Sequence, residues 1–149
     1  MSAQLLYFED LAIGDTFVGE VVPVDRDELL WFANNFDNQP MHADPLAAQA
    51  MGFKDVIAPG CYTFALNSKS ISAIWRRLHF LPSGIGIQLS FLKPLYAGGT
   101  LTTHVEILTS RESRKPGRGW LDCKVTCLDE RDAVIATVDA DWLLKRRPA

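Results

Sequence analysis

The sequence predicts an α+β fold in which an antiparallel sheet wraps around one long helix. Three observations predict it: apolar residues at helical spacing between positions 26 and 78, alternation of apolar and polar residues from position 85 onward, and small side chains around most of the longest predicted helix. Helices followed by a run of strands are typical of the α+β class. A chain of 149 residues is long enough to bury a core, so we expect one domain over residues 1–149.

The first half of the chain carries the predicted helices. The predicted bounds are 16–18 and 21–22 for a short edge strand, 26–35 and 45–51 for two helices, and 60 to about 78 for the longest helix. Asp25 and Asp44 are suited to the N-cap positions of the first two helices, because a short carboxylate accepts N–H groups of the first turn. Pro45 suits the first helical position and Gly52 the position after the helix ends.

The second half alternates with period two and predicts four strands in series. Apolar residues face one side in each of the segments 85–91, 101–107, 121–127 and 134–142. We expect these segments to form an antiparallel meander in which every strand has one buried face. Residues 111–119 are predicted as a long basic loop, 129–132 as a tight polar turn, and 145–148 as a frayed tail. One helix cannot cover every strand edge, so we expect two copies to pair as a homodimer or a higher homo-oligomer.

The stretch FDNQPMH at positions 36–42 places a carboxylate, Asp37, five residues before an imidazole, His42. Helical spacing would put the two on roughly opposite sides, and Pro40 disfavours a helix there. We therefore predict an irregular loop that aims both side chains at one point. A carboxylate beside an imidazole can orient the ring or share in moving a proton. The simpler alternative is an Asx-turn with a surface histidine.

Composition excludes several classes of function. A formal net charge of −3 gives no reason to expect nucleic acid as a partner. The N-terminus lacks the basic start and apolar core of a signal peptide, and no long apolar run predicts a membrane span. Cys61, Cys123 and Cys127 are odd in number and lack paired spacing, which disfavours a disulfide framework or a zinc site. These features predict a cytoplasmic protein with reduced thiols.

The stretch FDNQPMHADPLAAQAMGFKDVIAPG resembles the hydratase motif of the MaoC-like dehydratases and (R)-specific enoyl-CoA hydratases. FEDLAIGDTF resembles the opening segment of that family, and LSFLKPLYAGGTL resembles its Phe-x-x-Pro-Val-x-x-Gly-Asp-Thr-Leu strand and turn. The resemblance covers nearly the whole chain. It implies the hot-dog fold, a sheet around one long helix, in agreement with the pattern of apolar residues.

The resemblance also implies a hydro-lyase that adds water reversibly to a trans-2-enoyl-CoA, or removes it from the (R)-3-hydroxyacyl-CoA, with syn stereochemistry. Asp37 and His42 match the catalytic pair, and Gly60 matches the glycine whose backbone N–H contacts the thioester oxygen. Gly60 is also predicted to begin the longest helix, where free N–H groups favour negative charge. The implied partner is a small acyl-CoA or acyl-carrier thioester, with no metal or redox cofactor.

The chain departs from the family pattern at four positions. Gln39 stands in place of an asparagine, Phe36 in place of a frequent glycine, Pro59 in place of a histidine, and Gly99 in place of an aspartate. Residues around the implied site are predicted to contact substrate: Gln39, Phe53, Pro59, Cys61 and Tyr62. For the aromatic residues a plain core position is the alternative, and Cys61 could also be considered a nucleophile at a helix N-terminus.

Two rival functions stay open from the sequence. A hot-dog thioesterase often carries its working carboxylate on the long helix, whereas this chain has no Asp or Glu between Val56 and Val105. A non-catalytic acyl-thioester-binding protein would tolerate the departures at Phe36, Gln39 and Pro59. The basic loop at 111–118 and Lys93 are candidate contacts for the phosphates of coenzyme A, with a solvated surface as the simpler interpretation.

Overall fold

A computed structural model describes residues 4–149, so the start of the predicted domain at residues 1–3 lies outside the described range. The helices are α1 (Arg26–Phe36), α2 (Pro40–Ala43), α3 (Pro45–Ala50) and α4 (Gly60–Trp75), and a short 3-10 helix covers Phe8–Asp10. The strands are β1 (Thr16–Val18), β2 (Val22–Pro23), β3 (Phe80–Leu81), β4 (Ile87–Phe91), β5 (Thr100–Glu112), β6 (Arg118–Leu128) and β7 (Val134–Lys145). The predicted α+β class, an antiparallel sheet with a central helix, is confirmed.

The strands join one antiparallel sheet in the order β1-β5-β6-β7-β3, with β2 on β5 and β4 on β7. The three long strands β5, β6 and β7 form a meander, as predicted. The prediction that β4 begins this meander beside β5 was wrong, because β4 pairs with β7 between Ile87↔Ala140 and Phe91↔Ala136. Both edges of β5 are occupied, by β6 on one side and by β1 and β2 on the other. A new strand therefore has to cross to the remaining edge of β7.

Polar side chains in the middle of α4 attach this helix to the sheet. The Ser70 hydroxyl accepts a hydrogen bond from the Thr103 N–H at 2.9 Å and donates one to the Glu20 carbonyl oxygen at 2.6 Å. The Thr103 hydroxyl donates to the Asn67 side-chain oxygen at 2.9 Å. Ser70, Thr103 and Asn67 are buried, and each bond removes the cost of an unpaired polar group. The small residues predicted around α4 thus allow the sheet to approach the helix closely, and their hydrogen bonds stabilise that contact.

The helix boundaries follow the predicted caps. Asp25 and Asp44 each accept a backbone N–H from the first turn of the next helix, at 2.8 and 2.9 Å. The helices α1 and α3 end within one residue of prediction. The longest helix starts at the predicted residue but ends at Trp75 rather than near Leu78, because the Leu78 N–H donates to the Trp75 carbonyl and closes a turn.

The segment that carries His42 is helical, so the prediction of an irregular loop there was wrong. Pro40 is the first residue of α2, where a missing N–H costs nothing because it would have no helical partner. Gln39 before it is extended, with φ −91° and ψ 148°, as a residue preceding proline prefers. Proline therefore separates α2 from α1 instead of preventing a helix. The break leaves Asp37 outside regular helix geometry, at φ −153° and ψ 71°.

The β5–β6 hairpin is longer than predicted. The basic loop expected over 111–119 is confined to 113–117, because β5 continues to residue 112 and β6 begins at 118. Arg111 lies opposite Trp120 in the ladder, and its guanidinium carbon is 5.1 Å from the centroid of the Trp120 ring. This cross-strand stacking stabilises the ends of the two strands.

The C-terminal tail is held rather than frayed, contrary to the prediction. Lys145 is the last residue of β7. Arg146 forms ion pairs with Glu9 and Glu112, both at 2.8 Å, and Arg147 forms one with Asp10. The beginning and the end of the described chain therefore meet through opposite charges, a contact between residues too far apart in sequence for local patterns to reveal.

The apolar face of β4 and the residue Ile85 just before it are only partly buried, although the sequence predicts a buried face, and of this face Leu89 packs against the core. Ile85 and Ile87 are each 45% exposed and Phe91 is 51% exposed. Within residues 4–149, the edge of β4 that faces away from β7 has no strand partner. An apolar surface beside an open strand edge is typical of a face that another chain covers.

Two carboxylates on the sheet face opposite the core oppose each other. Asp122 of β6 lies directly across from Asp141 of β7. A hydrogen bond between the two carboxyl groups raises the pKa of Asp141 above its usual value and lowers the pKa of Asp122. Like charges directly opposite one another destabilise a sheet.

We expect Asp141→Asn to raise the free energy of unfolding at neutral pH by about 0.5 kcal/mol. The folded protein holds the Asp141 proton more tightly than the unfolded chain does, so this carboxyl costs stability as the pH rises through its folded pKa. The gain should therefore shrink toward about pH 3, which is below the pKa of the unfolded chain, so that the carboxyl is mostly protonated in both states. Urea unfolding at neutral pH and at the acidic pH measures this gain in the free energy of unfolding. Asp139→Asn is the matched control, since Asp139 lies opposite Lys124 and should gain nothing. An equal gain in both variants would contradict the assignment.

Candidate active site

Asp37 and His42 lie together where α1 gives way to α2. Asp37 is the C-cap of α1, and its N–H donates to the Ala33 carbonyl at 3.0 Å. Asp37 Oδ2 is 3.8 Å from His42 Nε2. The His42 side chain is only 7% exposed and that of Asp37 is 25% exposed. A partly open carboxylate therefore borders a buried imidazole, an arrangement in which the imidazole has few competing partners.

The orientation of the His42 ring is set by a backbone carbonyl. His42 Nδ1 lies 2.7 Å from the carbonyl oxygen of Ile57. A carbonyl oxygen can only accept, so Nδ1 must be the protonated nitrogen. In the neutral ring Nε2 is then an acceptor, and it faces the carboxylate. Ile57 is itself fixed, because its N–H donates to the Met41 carbonyl at 3.0 Å.

The Asp37 carboxylate is held from its other side by Gln39. Gln39 Nε2 donates to Asp37 Oδ1 at 2.7 Å, and the Gln39 N–H donates to the Asp37 carbonyl at 2.9 Å. The Gln39 side chain, one methylene longer than an asparagine, reaches back to the acid two residues earlier. Oδ1 is therefore occupied, while Oδ2 faces His42.

The first turn of α4 borders the same carboxylate. Cys61 Sγ is 4.0 Å from Asp37 Oδ2, and Gly60 is the first residue of the helix. Pro59, the N-cap, has no side-chain group that bonds to the helix end. The N–H of Gly60 has no acceptor among the residues that the structure describes. Free N–H groups and the helix dipole make this end of α4 favourable for negative charge.

A phenyl ring lies against Gly60. A Cβ at this position would be 2.6 Å from the Phe91 ring, so only glycine fits without a shift. The Phe91 ring therefore covers Gly60 on the side that faces β4. The sequence indicated Phe91 as an apolar strand residue in the Phe-x-x-Pro match, without a contact to Gly60.

The other predicted contact residues lie around this core of the site. Pro59 is buried and its carbonyl accepts the Thr63 N–H at 2.9 Å. Cys61 is exposed beside Asp37, whereas Phe53 is half-buried after α3, with its N–H bonded to the Ala48 carbonyl. None of the described contacts brings Phe53 to the Asp37–His42 pair. The roles of these residues in substrate binding stay predictions.

Tyr62 faces α1 rather than the acid–imidazole pair. Its ring is 2% exposed and its hydroxyl donates to Glu28 Oε1 at 2.8 Å. Burial, together with the Glu28 carboxylate, raises the pKa of Tyr62. The phenol therefore stays protonated and ties α4 to α1, which fixes the helix end that carries Gly60.

At position 99, where the resembled motif has an aspartate, this chain has Gly99, and a carboxylate from another segment lies beside it. The Glu130 carboxylate, from the β6–β7 turn, packs against Gly99 at the position a Cβ would occupy, and it accepts the Thr100 N–H at 3.3 Å. A carboxylate thus lies at this turn, but it comes from a different segment. An aspartate at position 99 would require Glu130 to move.

No helix in residues 4–149 is both long and apolar enough to cross a membrane. The same residues contain no group of three or more His, Cys, Asp or Glu side chains placed to hold a metal ion.

Reasoning from sequence missed two contributors to the site. The Ile57 carbonyl, which fixes the imidazole, is a backbone group fifteen residues from His42, and no residue type signals it. Phe91 approaches Gly60 only because β4 crosses to β7. Its place as the first residue of the Phe-x-x-Pro match was the available signal.

Comparison with known proteins finds similarity over nearly the whole chain. A family model described as MaoC like domain matches residues 10–126. A MaoC-like dehydratase from Rhodospirillum rubrum is 30% identical, with 97% of this chain and 99% of that chain covered and a TM-score of 0.85. A protein of Mycobacterium tuberculosis with a double hotdog fold is 22% identical over 97% of this chain and 45% of that one, at a TM-score of 0.79. The (R)-hydratase PhaJ1 from Pseudomonas aeruginosa is 22% identical, with 97% of this chain and 89% of that chain covered and a TM-score of 0.69.

Proposed function

Because this chain belongs to the MaoC-like domain family, we propose that it is a hydratase or dehydratase of acyl thioesters. The finer proposal is the reversible syn addition of water to a trans-2-enoyl-CoA, or the reverse reaction on the (R)-3-hydroxyacyl thioester. The observation that carries it is the approach of a carboxylate and an acceptor imidazole nitrogen to 3.8 Å beside the first turn of α4.

Two hydrogen-bond acceptors 3.8 Å apart favour the binding of a molecule that carries two hydrogen-bond donors. Asp37 Oδ2 accepts, and His42 Nε2 accepts because Nδ1 donates to Ile57. One water can donate to both, which directs its oxygen lone pair toward the β-carbon of a bound enoyl group. The C–O bond forms at the β-carbon as one water O–H bond breaks. The pair takes that proton and returns one to the α-carbon on the same face.

The charge that develops during this step lies on the thioester oxygen. Addition at the β-carbon pushes the alkene electrons through the α-carbon to that oxygen, which becomes enolate-like. The Gly60 N–H at the start of α4 donates to it, and the helix dipole adds to the effect. Each step is a proton transfer or the formation of a C–O bond, so the scheme calls for no metal or redox cofactor.

Crotonyl-CoA supplied to the purified protein tests the proposal. Hydration is followed as loss of the enone absorbance, and the stereochemistry of the 3-hydroxybutyryl-CoA product is determined by chiral chromatography. The (R)-product supports the scheme. Release of free CoA without hydration would indicate a thioesterase, and binding without turnover over a series of enoyl chain lengths would indicate a binding protein. The thioesterase alternative is weakened by α4, which has no Asp or Glu from Gly60 to Trp75.

We also propose that the protein acts as a homodimer that pairs through β4. The exposed Ile87 and Phe91 beside the open edge of β4 support this interface. Phe91 also lies against Gly60, so a partner at β4 would lie next to the acid–imidazole pair and separate it from bulk solvent.

Ile87→Glu is expected to convert the dimer into a monomer, because burying a charge at an apolar contact is costly. Light scattering after gel filtration should show twice the 16.6 kDa chain mass for the wild type and the single-chain mass for the variant. Ile13→Glu is the matched control, since Ile13 is 65% exposed on another part of the surface. A wild-type protein that runs as a monomer would contradict the proposed interface.

A further inference from the structure

A cationic cavity of about 460 Å³ lies beside the candidate active site, between the β4–β5 connection and the β6–β7 turn. Three cations line it, Lys54, Lys93 and Arg131, together with the carboxylates of Asp129 and Glu130. The net charge of the chain is −3, so the cations at this place do not reflect a generally basic protein. Nothing in the reaction scheme uses them.

The carboxylates in the lining are already engaged with backbone groups. Asp129 Oδ1 accepts the N–H groups of Arg131 and Ala133, each at 2.9 Å, and Glu130 accepts the Thr100 N–H. Within residues 4–149, none of the three cations forms an ion pair. The acids thus shape the turn, while the cationic groups keep their donors free for a ligand.

One of the cations is positioned by an aromatic ring. Lys54 Nζ is 4.4 Å from the centroid of the Tyr96 ring, a distance at which the ring attracts the ammonium group. Tyr96 lines the cavity, so this contact keeps Lys54 at its wall instead of leaving the side chain free in solvent. A flexible lysine that is held in place loses less entropy when it binds an anion.

The segment that lines the cavity is paired with the segment that borders the candidate site. The Ala58 N–H donates to the Leu95 carbonyl at 2.8 Å, and Ile57 forms a bridge with Tyr96. The Ile57 carbonyl is the group that holds His42. On the other side, Lys93 follows Phe91 by two residues, and the Phe91 ring lies on Gly60. Two residues of extended chain span about 7 Å, so a cation of this cavity is close along the chain to the residue that contacts Gly60.

We propose that this cavity binds the phosphate end of a pantetheine thioester, with Lys54, Lys93 and Arg131 as the phosphate contacts. The inference rests on the proposed function, because it assumes that the acyl thioester lies at Gly60. Lysine ammonium groups and arginine guanidinium groups are the side chains that bind phosphate oxygens most strongly. A phosphate is present both in coenzyme A and on the pantetheine arm of a carrier protein, so the chemistry that the cavity recognises is common to both.

A second cationic cavity fits the same ligand less well. It is lined by Arg111, Arg114, Lys115 and Arg118, on the β5–β6 hairpin. Arg118 pairs with Lys145 at the far end of β7, whereas Phe91 pairs with Ala136 near its start. These positions are about nine residues apart, or about 30 Å along the strand. Within one chain, the hairpin is too distant to share an arm with the acid–imidazole pair.

The test compares three thioesters: crotonyl-CoA, crotonyl-4′-phosphopantetheine and crotonyl-pantetheine, which has no phosphate. For Lys54→Ala/Lys93→Ala we expect the ratio of kcat/KM for crotonyl-CoA to that for crotonyl-pantetheine to fall about tenfold or more, since charge-assisted bonds are lost. A matching fall for crotonyl-4′-phosphopantetheine assigns the cavity to the phosphate of the pantetheine arm. A fall confined to crotonyl-CoA assigns it to the phosphates of the nucleotide. An unchanged ratio overturns the proposal.

Arg114→Ala/Lys115→Ala on the hairpin is the matched control, because it removes the same number of positive charges from the other cavity. We expect its ratio to equal that of the wild type. If this variant lowers the ratio as much as Lys54→Ala/Lys93→Ala does, the effect is general electrostatic attraction and the cavity is not a specific site.

Failure of the proposed function would be recognised separately, as a wild type that hydrates none of the three thioesters. Calorimetric titration with free CoA and with pantetheine then tests the cavity by itself. Wild-type binding of CoA at least about tenfold tighter than that of Lys54→Ala/Lys93→Ala supports the phosphate site. Equal affinity for CoA in the two proteins, or no binding to the wild type, overturns it.

Discussion

The Asp37→Asn variant is expected to hydrate crotonyl-CoA about 100 to 10,000 times more slowly than the wild type, the range that general acid–base catalysis typically contributes. The amide keeps the size of the carboxylate, and its oxygen can still accept from Gln39. It cannot take a proton from the water that the pair would hold. The loss should therefore appear in kcat more than in KM, because the change acts on the reaction step.

His42→Ala should produce a loss of similar size, and the double variant should be little worse than either single one. Residues that act on the same water as a unit give strongly non-additive effects. Asp139→Asn, which makes the same chemical change on an exposed strand position, is the control and should keep full activity. Thermal unfolding of each variant establishes that it is folded. Additive losses for Asp37 and His42, or normal turnover in either single variant, would contradict a shared role.

Gly60→Ala is expected to lower kcat/KM by about 100-fold, although the backbone N–H is retained. The new methyl group would lie 2.6 Å from the Phe91 ring, so either the ring or the first turn of α4 has to move. A displacement of about 1 Å of a group that positions the reacting atoms can cost this much. Steady-state kinetics with crotonyl-CoA measures the loss.

The companion variant Gly60→Ala/Phe91→Ala shows whether the activity lost in Gly60→Ala is due to crowding against the Phe91 ring. Removing the ring relieves the clash, so we expect the double variant to recover much of the activity lost in Gly60→Ala. Phe91→Ala alone reports the effect of uncovering the glycine. A double variant that stays as poor as Gly60→Ala would show that the glycine matters for a reason other than its contact with Phe91.

The elements of this fold were largely predictable because their signals are local. An acid at each N-cap determines where α1 and α3 begin, and period-two alternation determines most of the long strands. Pairing of β4 was not predictable, because it depends on which edge of the finished sheet is free. The held tail was missed for a related reason, since Arg146 and Arg147 bond to Glu9 and Asp10 at the other end of the described chain.

The candidate site likewise combines features that the sequence predicts with features that depend on the finished fold. The sequence by itself determined which residues carry chemistry, since Asp37, His42 and Gly60 stand out by residue type, spacing and a family motif. Only the tertiary structure decided how they face each other: the Ile57 carbonyl selects the His42 tautomer, and Phe91 closes on Gly60. The physical reason is that a motif specifies side chains along one segment. A tautomer or a close approach is set by atoms of other segments, which come together only when the sheet forms around α4.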